Sequence, residues 1–591
     1  MITRSFFVFL SAAMTLTGAA RVVAQDESAA GDTLQTIIDD HWDWRLKEQP
    51  VFATTLGVRD YDDRLGSVSL ESYDAATEKA RAFMGRLEAL SVDSLSPEEK
   101  INFQLLSLNL KNRIDGAAYG GKYLLLTNRY GPHTTLTRLP TRLPFFTKAD
   151  FDSYVTRLAD APRYLAEATD VLKAGVEAGW TQSCAPMARV EQAIRFHLVD
   201  DVADSVFMKP FEARPNTVSP RDWRRLKANA EKTIKKAVLP AFGAYADFYA
   251  DSYAPACRET VGALNFPGGD AYYAHRAGVF TTTGMSPDDI HALGLSEVAR
   301  IRAEMDTIIR KVDFDGDFKA FQTYLRTNPE FYAKTEEELI SFTSRIAKIA
   351  DGELPKLFTR MPRMPYTVKP VPADIAKGAT TAFYERPAGD GTRAGVYRIN
   401  TSLLDQRPLF ELEALTLHEA VPGHHFQIAL AQELTLPSFR RYGGFTAFTE
   451  GWGLYAESLG LDIGFYTDPY QNFGRLSYEM WRACRLVVDT GMHAKGWSRQ
   501  EAIDFMLENT ALSAHNVEAE VDRYITWPGQ ALAYKIGQLK IKALRAKSEK
   551  ALGADFDLRR FHDAVLENGA VPLSVLEQHI NAWIADEKKR R

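Results

Sequence analysis

Cysteine is scarce, positive charge is not in excess, and no apolar run is long enough to cross a bilayer. Each absence removes a class of protein. Three cysteines, Cys184, Cys257 and Cys484, in a chain of 591 residues exclude the disulfide framework of a small secreted scaffold. One bridge at most is possible in an oxidising compartment. Cys184 with Cys257 is the pairing we expect, although spacing carries no geometry. A formal charge of −6, from 71 basic and 77 acidic residues, excludes the basic footprint of a nucleic-acid-binding protein. The apolar run Phe6 to Leu16 falls short of the about 20 residues a spanning helix needs, and no later stretch of that length is free of charge. Internal repeats and low-complexity tracts are also missing, and Pro and Gly are spread rather than pooled, so neither a solenoid nor a flexible tether is expected.

What is present begins with a leader. Arg4, the apolar run and the small residues before Val22-Val23-Ala24 follow the charged, apolar, small-residue order of a secretory signal peptide. Cleavage after Ala24 leaves Gln25 first, with no cysteine near the site to take a lipid, and a periplasmic or secreted location is expected. The remainder is long enough for two packed halves. Helix signals dominate it. Ser96-Pro97-Glu98-Glu99 and Ser286-Pro287-Asp288-Asp289 each offer a serine cap, a proline at the first helical position and acids in the first turn. Ser498 with Glu501 forms a capping box. Ile290 to Val312 and Gln530 to Leu552 have the period of long amphipathic helices.

Strand signals are few: Tyr123 to Thr127 and, more clearly, Gly395 to Thr401 alternate between β-formers and other residues. The fold class is therefore mainly α with a small β-sheet. Breaks at Asn265 to Gly269 and in the proline-rich stretch Met361 to Pro372 divide the mature chain into a helical half, 25–270, and a catalytic half, 271–591, which we expect to form one continuous body. The strand over Val396 to Thr401 is expected either as an edge that pairs with an extended peptide or as an internal strand of a small sheet. Asn400 on it is a substrate-binding candidate.

The segment richest in chemistry is Leu417-His418-Glu419-Ala420-Val421-Pro422-Gly423-His424-His425-Phe426-Gln427. A zinc peptidase helix spaces two histidines four apart, so that both rings reach one ion at about 2.0 to 2.1 Å while the Glu beside the first His activates a water. Here the spacing is six or seven. In a straight helix seven residues rise roughly 10 Å, too far for one ion, so the path must shorten. Pro422 cannot donate to the carbonyl of His418, and Gly423 tolerates the dihedrals of a bulge. Two residues looped out make His424 the second ligand and His418 the first. His425 needs three looped out and is a substrate-binding candidate instead.

A third ligand is expected from Phe448 to Glu457, where Glu450 and Glu457 share a helix face. Glu450 is the choice for the ion, and Glu457 is the candidate to hold a ligand imidazole. Around a second Pro-Gly break, Tyr524 and Tyr534 are candidate donors to a developing oxyanion. Arg523 is a candidate clamp for a substrate carboxylate. His291, His493 and His515 have no partner at ligand spacing and are expected in core or surface roles.

Three motifs, HEAVPGHHFQ, EGWGLYAE and EVDRYITWPGQALAYKIGQLKI, with a weaker echo in TTTGMSPDDIHALGLSEVARIRAEM, make the chain resemble the DUF885 family of bacterial proteins, itself similar to helical zinc metallopeptidases. The resemblance implies a mostly helical, two-lobed body with a deep cleft, zinc on His418, His424 and Glu450, Glu419 as general base, and Tyr524 and Tyr534 near the reacting carbonyl. The function expected is zinc-dependent cleavage of short peptides by an activated water. The alternatives are hydrolysis of a non-peptide amide and an inactive secreted binding protein. A purely structural ion normally has four protein ligands and needs no base, which speaks against the last.

Overall fold

The computed structural model describes residues 19–376 and 379–590. The signal peptide expected over residues 1–24 lies outside the described residues as far as residue 18. Three long helices open the described chain: α1 (Ala19–Glu48), α2 (Leu70–Glu88) and α3 (Pro97–Gly116). Local chemistry fixes where such helices start. Ser96 Oγ accepts from the Glu99 N–H at 3.3 Å while Glu99 Oε2 accepts from the Ser96 N–H at 2.8 Å, which satisfies donors that a bare helix end leaves open. Ser286 and Asp289 build the same box ahead of α4 (Pro287–Lys311), and Ser498 and Glu501 build it ahead of Arg499–Asn509. Each such cap contributes about 1 kcal/mol.

The single sheet among the described residues has three strands, β1 (Tyr366–Pro370), β2 (Ala382–Glu385) and β3 (Gly395–Ile399), in the order β1-β3-β2. β3 runs parallel to β1 and antiparallel to β2, with Tyr397 opposite both Val368 and Tyr384. The strand expected over Val396 to Thr401 is thus the internal one, its backbone paired on both sides, and it offers no edge to a peptide. The strand signal at Tyr123 to Thr127 is not borne out. That stretch follows a single tight turn, Gly120–Tyr123, and no strand lies beside it. Its carbonyls and amides go elsewhere: Leu126 O accepts from Gln182 Nε2 and Thr127 N donates to Tyr130 O.

Downstream of the sheet come α5 (Leu412–Glu419), α6 (His424–Glu433), α7 (Thr446–Ile463), α8 (Pro469–Ala494), α9 (Ala514–Thr526) and α10 (Ala533–Leu552). The expected helix over Gln530 to Leu552 starts three residues later, after a tight turn at Gln530–Leu532. α8 is buried continuously from Phe473 to His493, so it is the axis around which α4, α5 and α10 pack. Its buried charges are paired: Glu479 with Lys535 at 2.7 Å, Arg485 with Glu520 at 3.1 Å and Arg482 with Glu457 at 3.3 Å. α7 and α10 cross backbone to backbone. A Cβ on Gly451 would stand 2.5 Å from the Gly537 backbone, and one on Gly537 would stand 1.9 Å from Ala447 O.

The largest hydrophobic core joins Leu34, Phe83 and Leu106 of α1 to α3 with Phe426, Trp452 and Tyr524 of the later helices, across residue 270. A second core lies wholly between Leu65 and Tyr253. Cys184 and Cys257 form the expected disulfide, and Cys484 is free and buried.

Candidate metal centre

α5 ends at Glu419, which puts His418 and Glu419 in its last turn. Ala420 to Gly423 then leave helical geometry, and α6 restarts at His424. Pro422 has no N–H to continue the ladder, and the Trp452 indole pins the connection by donating to Pro422 O at 2.8 Å. The chain doubles back so closely that a Cβ on Gly423 would lie 1.9 Å from His418 O. The expected shortening of the path is present, as a full break between two helices rather than a bulge within one. It brings the His418 and His424 rings to 4.6 Å, almost perpendicular at 85°.

Glu450 comes to the same point from α7. Its Oε2 lies 3.2 Å from His424 Nε2 and 3.8 Å from His418 Nε2, and one donor atom of each of the three residues lies within 4.8 Å of the others. Ligand atoms on a tetrahedral zinc are separated by about 3.3 Å, from bonds of about 2.0 to 2.1 Å, so the residues need only a small closure to share an ion. Burial pushes the Glu450 carboxyl up, but the two imidazoles outweigh it and hold it well below the usual carboxylate range. Burial likewise pushes the His418 ring down, while Glu450 and Glu457 outweigh it and hold the ring at about 9. Glu450 Oε2, the oxygen that faces both rings, is buried with no hydrogen-bond partner. Polar atoms left so in a native protein mark a missing water or ion. The donor set therefore fits a divalent cation.

The ring of His418 is held from its other side. Glu457 Oε1 lies 2.8 Å from His418 Nδ1, the bond expected of that carboxylate, and Arg482 Nη2 steadies the same oxygen at 3.3 Å. Such a bond fixes the tautomer and leaves Nε2 free to bind an ion. Gly453 gives the ring its place: a Cβ there would come within 2.8 Å of the imidazole. Tyr534, one turn before the Gly537 crossing, stacks toward the same ring, 6.5 Å between centroids at 18°. Burial and then the nearby Glu450 charge raise its hydroxyl pKa.

The family model "Bacterial protein of unknown function (DUF885)" matches residues 50–580. The chain belongs to the DUF885 family. Two solved structures resemble this DUF885 protein. "The crystal structure of the putative lipoprotein from Colwellia psychrerythraea" is 28% identical, with a TM-score of 0.88, over 95% of this chain and 99% of that one. "The structure of a putative lipoprotein of unknown function from Shewanella oneidensis" shares the fold at 19% identity, with a TM-score of 0.70, over 94% of this chain and 99% of that one. No curated protein matches it.

The other residues singled out in this DUF885 sequence are engaged within the protein. Tyr524 is buried, and its hydroxyl accepts from Trp481 Nε1 at 2.9 Å and Arg485 Nε at 2.8 Å, which places it in a packed wall. Arg523 directs Nε and Nη2 at Glu520 Oε2, at 3.2 and 2.9 Å, and Nη1 at Gln530 Oε1, at 2.6 Å. A clamp already holding an internal carboxylate has no free fork for a substrate. His425, next to His424, turns to the sheet: Nδ1 meets the Tyr384 hydroxyl at 2.9 Å and Nε2 meets Met364 O at 3.0 Å. Burial lowers its pKa to about 4, so it is a neutral packing residue with no free nitrogen. Asn400 ties the end of β3 to the preceding loop by donating to Ala376 O, Ala379 O and Thr380 O. It is fully buried, out of reach of a substrate. His291 and His493 are hydrogen-bonded to Thr490 and to Tyr524 O.

Sequence reasoning missed Gln427. It is buried, three residues after His424 on the same helix face, and its Oε1 has no partner. The i, i+3 offset from a candidate ligand was a signal that could have found it.

Proposed function

We propose that this DUF885 protein is a zinc-dependent hydrolase that cleaves peptide bonds of short peptides outside the cytoplasm. The observation that supports it most is the convergence of His418, His424 and Glu450, with Glu450 Oε2 buried and unpartnered, directly beside Glu419. His418, His424 and Glu450 would hold the ion, three protein ligands being the pattern of catalytic rather than structural zinc. When bound, zinc lowers the pKa of a water to about 7 and polarises a carbonyl. Glu419, at the open end of α5, takes the proton of the attacking water and returns it to the leaving amine. Glu457 keeps His418 oriented, and the Tyr534 hydroxyl is the donor for the developing oxyanion. Hydrolysis of a non-peptide amide would use the same groups. The leader sequence and the Cys184–Cys257 bridge support an oxidising, extracytoplasmic location.

Metal analysis of the purified chain, followed by digestion of a peptide mixture read by mass spectrometry, tests this reading. One zinc per chain and cleavage of short peptides are expected, with folded globular proteins left intact. Glu419→Gln should keep the zinc and lose turnover by about 10²- to 10⁴-fold. A chain that binds no stoichiometric metal, or a zinc-loaded chain that cuts no peptide, refutes it.

A further inference from the structure

A cavity of about 340 Å³ reaches the candidate metal centre through Glu450 and Gln427. Its charge is one-sided. Four arginines line it, Arg45, Arg386, Arg440 and Arg441, and the only acid among the lining residues is Glu450 itself, in a chain whose net charge is −6. Enclosed positive charge is costly unless paired, and no protein carboxylate forms an ion pair with any of the four among the described residues.

Their surroundings separate them. Arg440 is held by neutral acceptors, Asn102 Oδ1 at 2.8 Å and Asn568 O at 2.9 Å, and belongs to the packing. Arg441 donates to Ser438 Oγ at 3.1 Å and lies over the Tyr442 ring at 5.4 Å. Arg45 has aromatic rings for company, Trp42 at 5.6 Å and Phe52 at 4.9 Å. Arg386, just after β2, makes no hydrogen bond or ion pair with the described residues, and its side chain stays open to solvent. Burial and then the Arg386 charge push the Arg45 guanidinium pKa down. Two like charges close enough to repel, in one cavity where the only lining acid is Glu450 at the metal centre, describe a site built for an anion. Gln427, with its unpartnered Oε1, lines the same cavity, three residues after His424 on α6.

We propose that this cavity binds a carboxylate of the substrate, clamped by Arg386 and Arg45, so that the bond presented to the metal centre lies close to that carboxylate. The cavity is at the small end of the about 300 to 1,000 Å³ typical of ligand sites. It therefore takes one end of a peptide rather than an extended chain. The carboxylate is either the free C-terminus of a peptide or the side chain of an acidic residue. The proposal rests on the hydrolase reading for the reaction, but not for the binding.

The test measures binding and turnover separately. Three fluorescently labelled tetrapeptides are titrated into the full chain carrying Glu419→Gln. One has neutral side chains and a free C-terminus, the second is its C-terminal amide, and the third is that amide with one glutamate. The same peptides are then offered to the parent protein for cleavage. We expect the free acid to bind at least ten-fold tighter than the neutral amide. Adding Arg386→Ala should remove that preference while leaving the neutral amide's affinity unchanged, and Arg45→Ala should weaken it in the same sense. Tight binding of the free acid alone assigns the C-terminal carboxylate, and recovery of binding by the glutamate peptide assigns the side chain. A clear acid preference with no cleavage keeps this proposal and removes the hydrolase reading. Cleavage with equal affinity for acid and amide keeps the hydrolase reading and overturns this proposal. So does an Arg386→Ala variant that weakens all three peptides equally, and so does the absence of binding to any of them.

Discussion

Pro422-Gly423 separates α5 from α6, and Pro528-Gly529 separates α9 from α10. Each break lets the next helix start at a new angle and turns a polar residue of that helix toward the same region. After the first, His424 arrives beside His418 with its Nε2 3.2 Å from Glu450 Oε2, and that oxygen stays buried without a hydrogen-bond partner. After the second, most polar groups are matched, although Arg485 Nη1 and Asp489 Oδ2 stay buried without a partner. Gly529 N donates to Asp489 Oδ1 at 3.1 Å, Tyr524 accepts two hydrogen bonds, and Arg523 is paired with Glu520 and Gln530. The backbone device is shared, and the polar balance differs. The difference that remains is what the unmatched atom faces: Glu450 Oε2 faces two imidazoles, an arrangement that suits a cation, since leaving such a group buried and unpaired costs about 1 to 3 kcal/mol. Matched groups mark a lock that holds the wall in place.

The largest effect expected from breaking this contrast lies at the first break, between adjacent rings. His424→Ala should abolish metal binding at limiting zinc, whereas His425→Ala should retain it, because both nitrogens of His425 already serve Tyr384 and Met364. Metal content per chain after dialysis decides the matter, and retention in His424→Ala would contradict the assignment. The two tyrosines of the second break should separate next. Tyr534→Phe should reduce turnover by about 10²- to 10³-fold, the usual loss for one oxyanion donor, with metal content and thermal midpoint unchanged. Tyr524→Phe should instead cost about 1 to 3 kcal/mol of stability, read from denaturant midpoints, because the N–H groups of Trp481 and Arg485 lose their acceptor. The reverse pattern would exchange the roles of the two residues.

The smallest effect concerns pH at the second break. Burial raises the Asp489 carboxyl from 3.8 to about 7, against the opposing hydrogen bonds from Tyr273 and Gly529. A group whose folded pKa is raised contributes stability that is fully present below its unfolded pKa and is lost as pH rises through the folded one. Asp489→Asn should therefore gain on the parent between pH 5 and 7, by at most about 1.4 kcal/mol per pH unit. A stability difference that does not change with pH would show that Asp489 is ionised throughout.

Much of this was legible from residue order. The caps at Ser96, Ser286 and Ser498 and the break at Pro422 were readable because they depend on contacts within a few residues. The carboxylate clamp was not. Arg523 sits in a family motif, yet Glu520, one turn earlier on the same helix, occupies it. Arg45 and Arg386 lie more than three hundred residues apart in sequence, and neither carries a local signal. The sheet register that occupies His425 and makes β3 internal was equally out of reach, since strand pairing is non-local.

By itself the sequence determined that this is a mainly helical chain, and it gathered His418, Glu419 and a histidine after Pro422 into one candidate site. Steric limits on proline and hydrogen bonding at helix ends act over one turn, so residue order suffices to express them. Only the tertiary structure decided that Glu450 meets the two histidines while Glu457 holds one of them from behind. That division follows from where α7 crosses α10, at Gly451 and Gly537, whose missing side chains let two backbones touch. A helix crossing is settled by the packing of residues far apart in the chain, and it sets which of two carboxylates on one helix face lies between the two histidines.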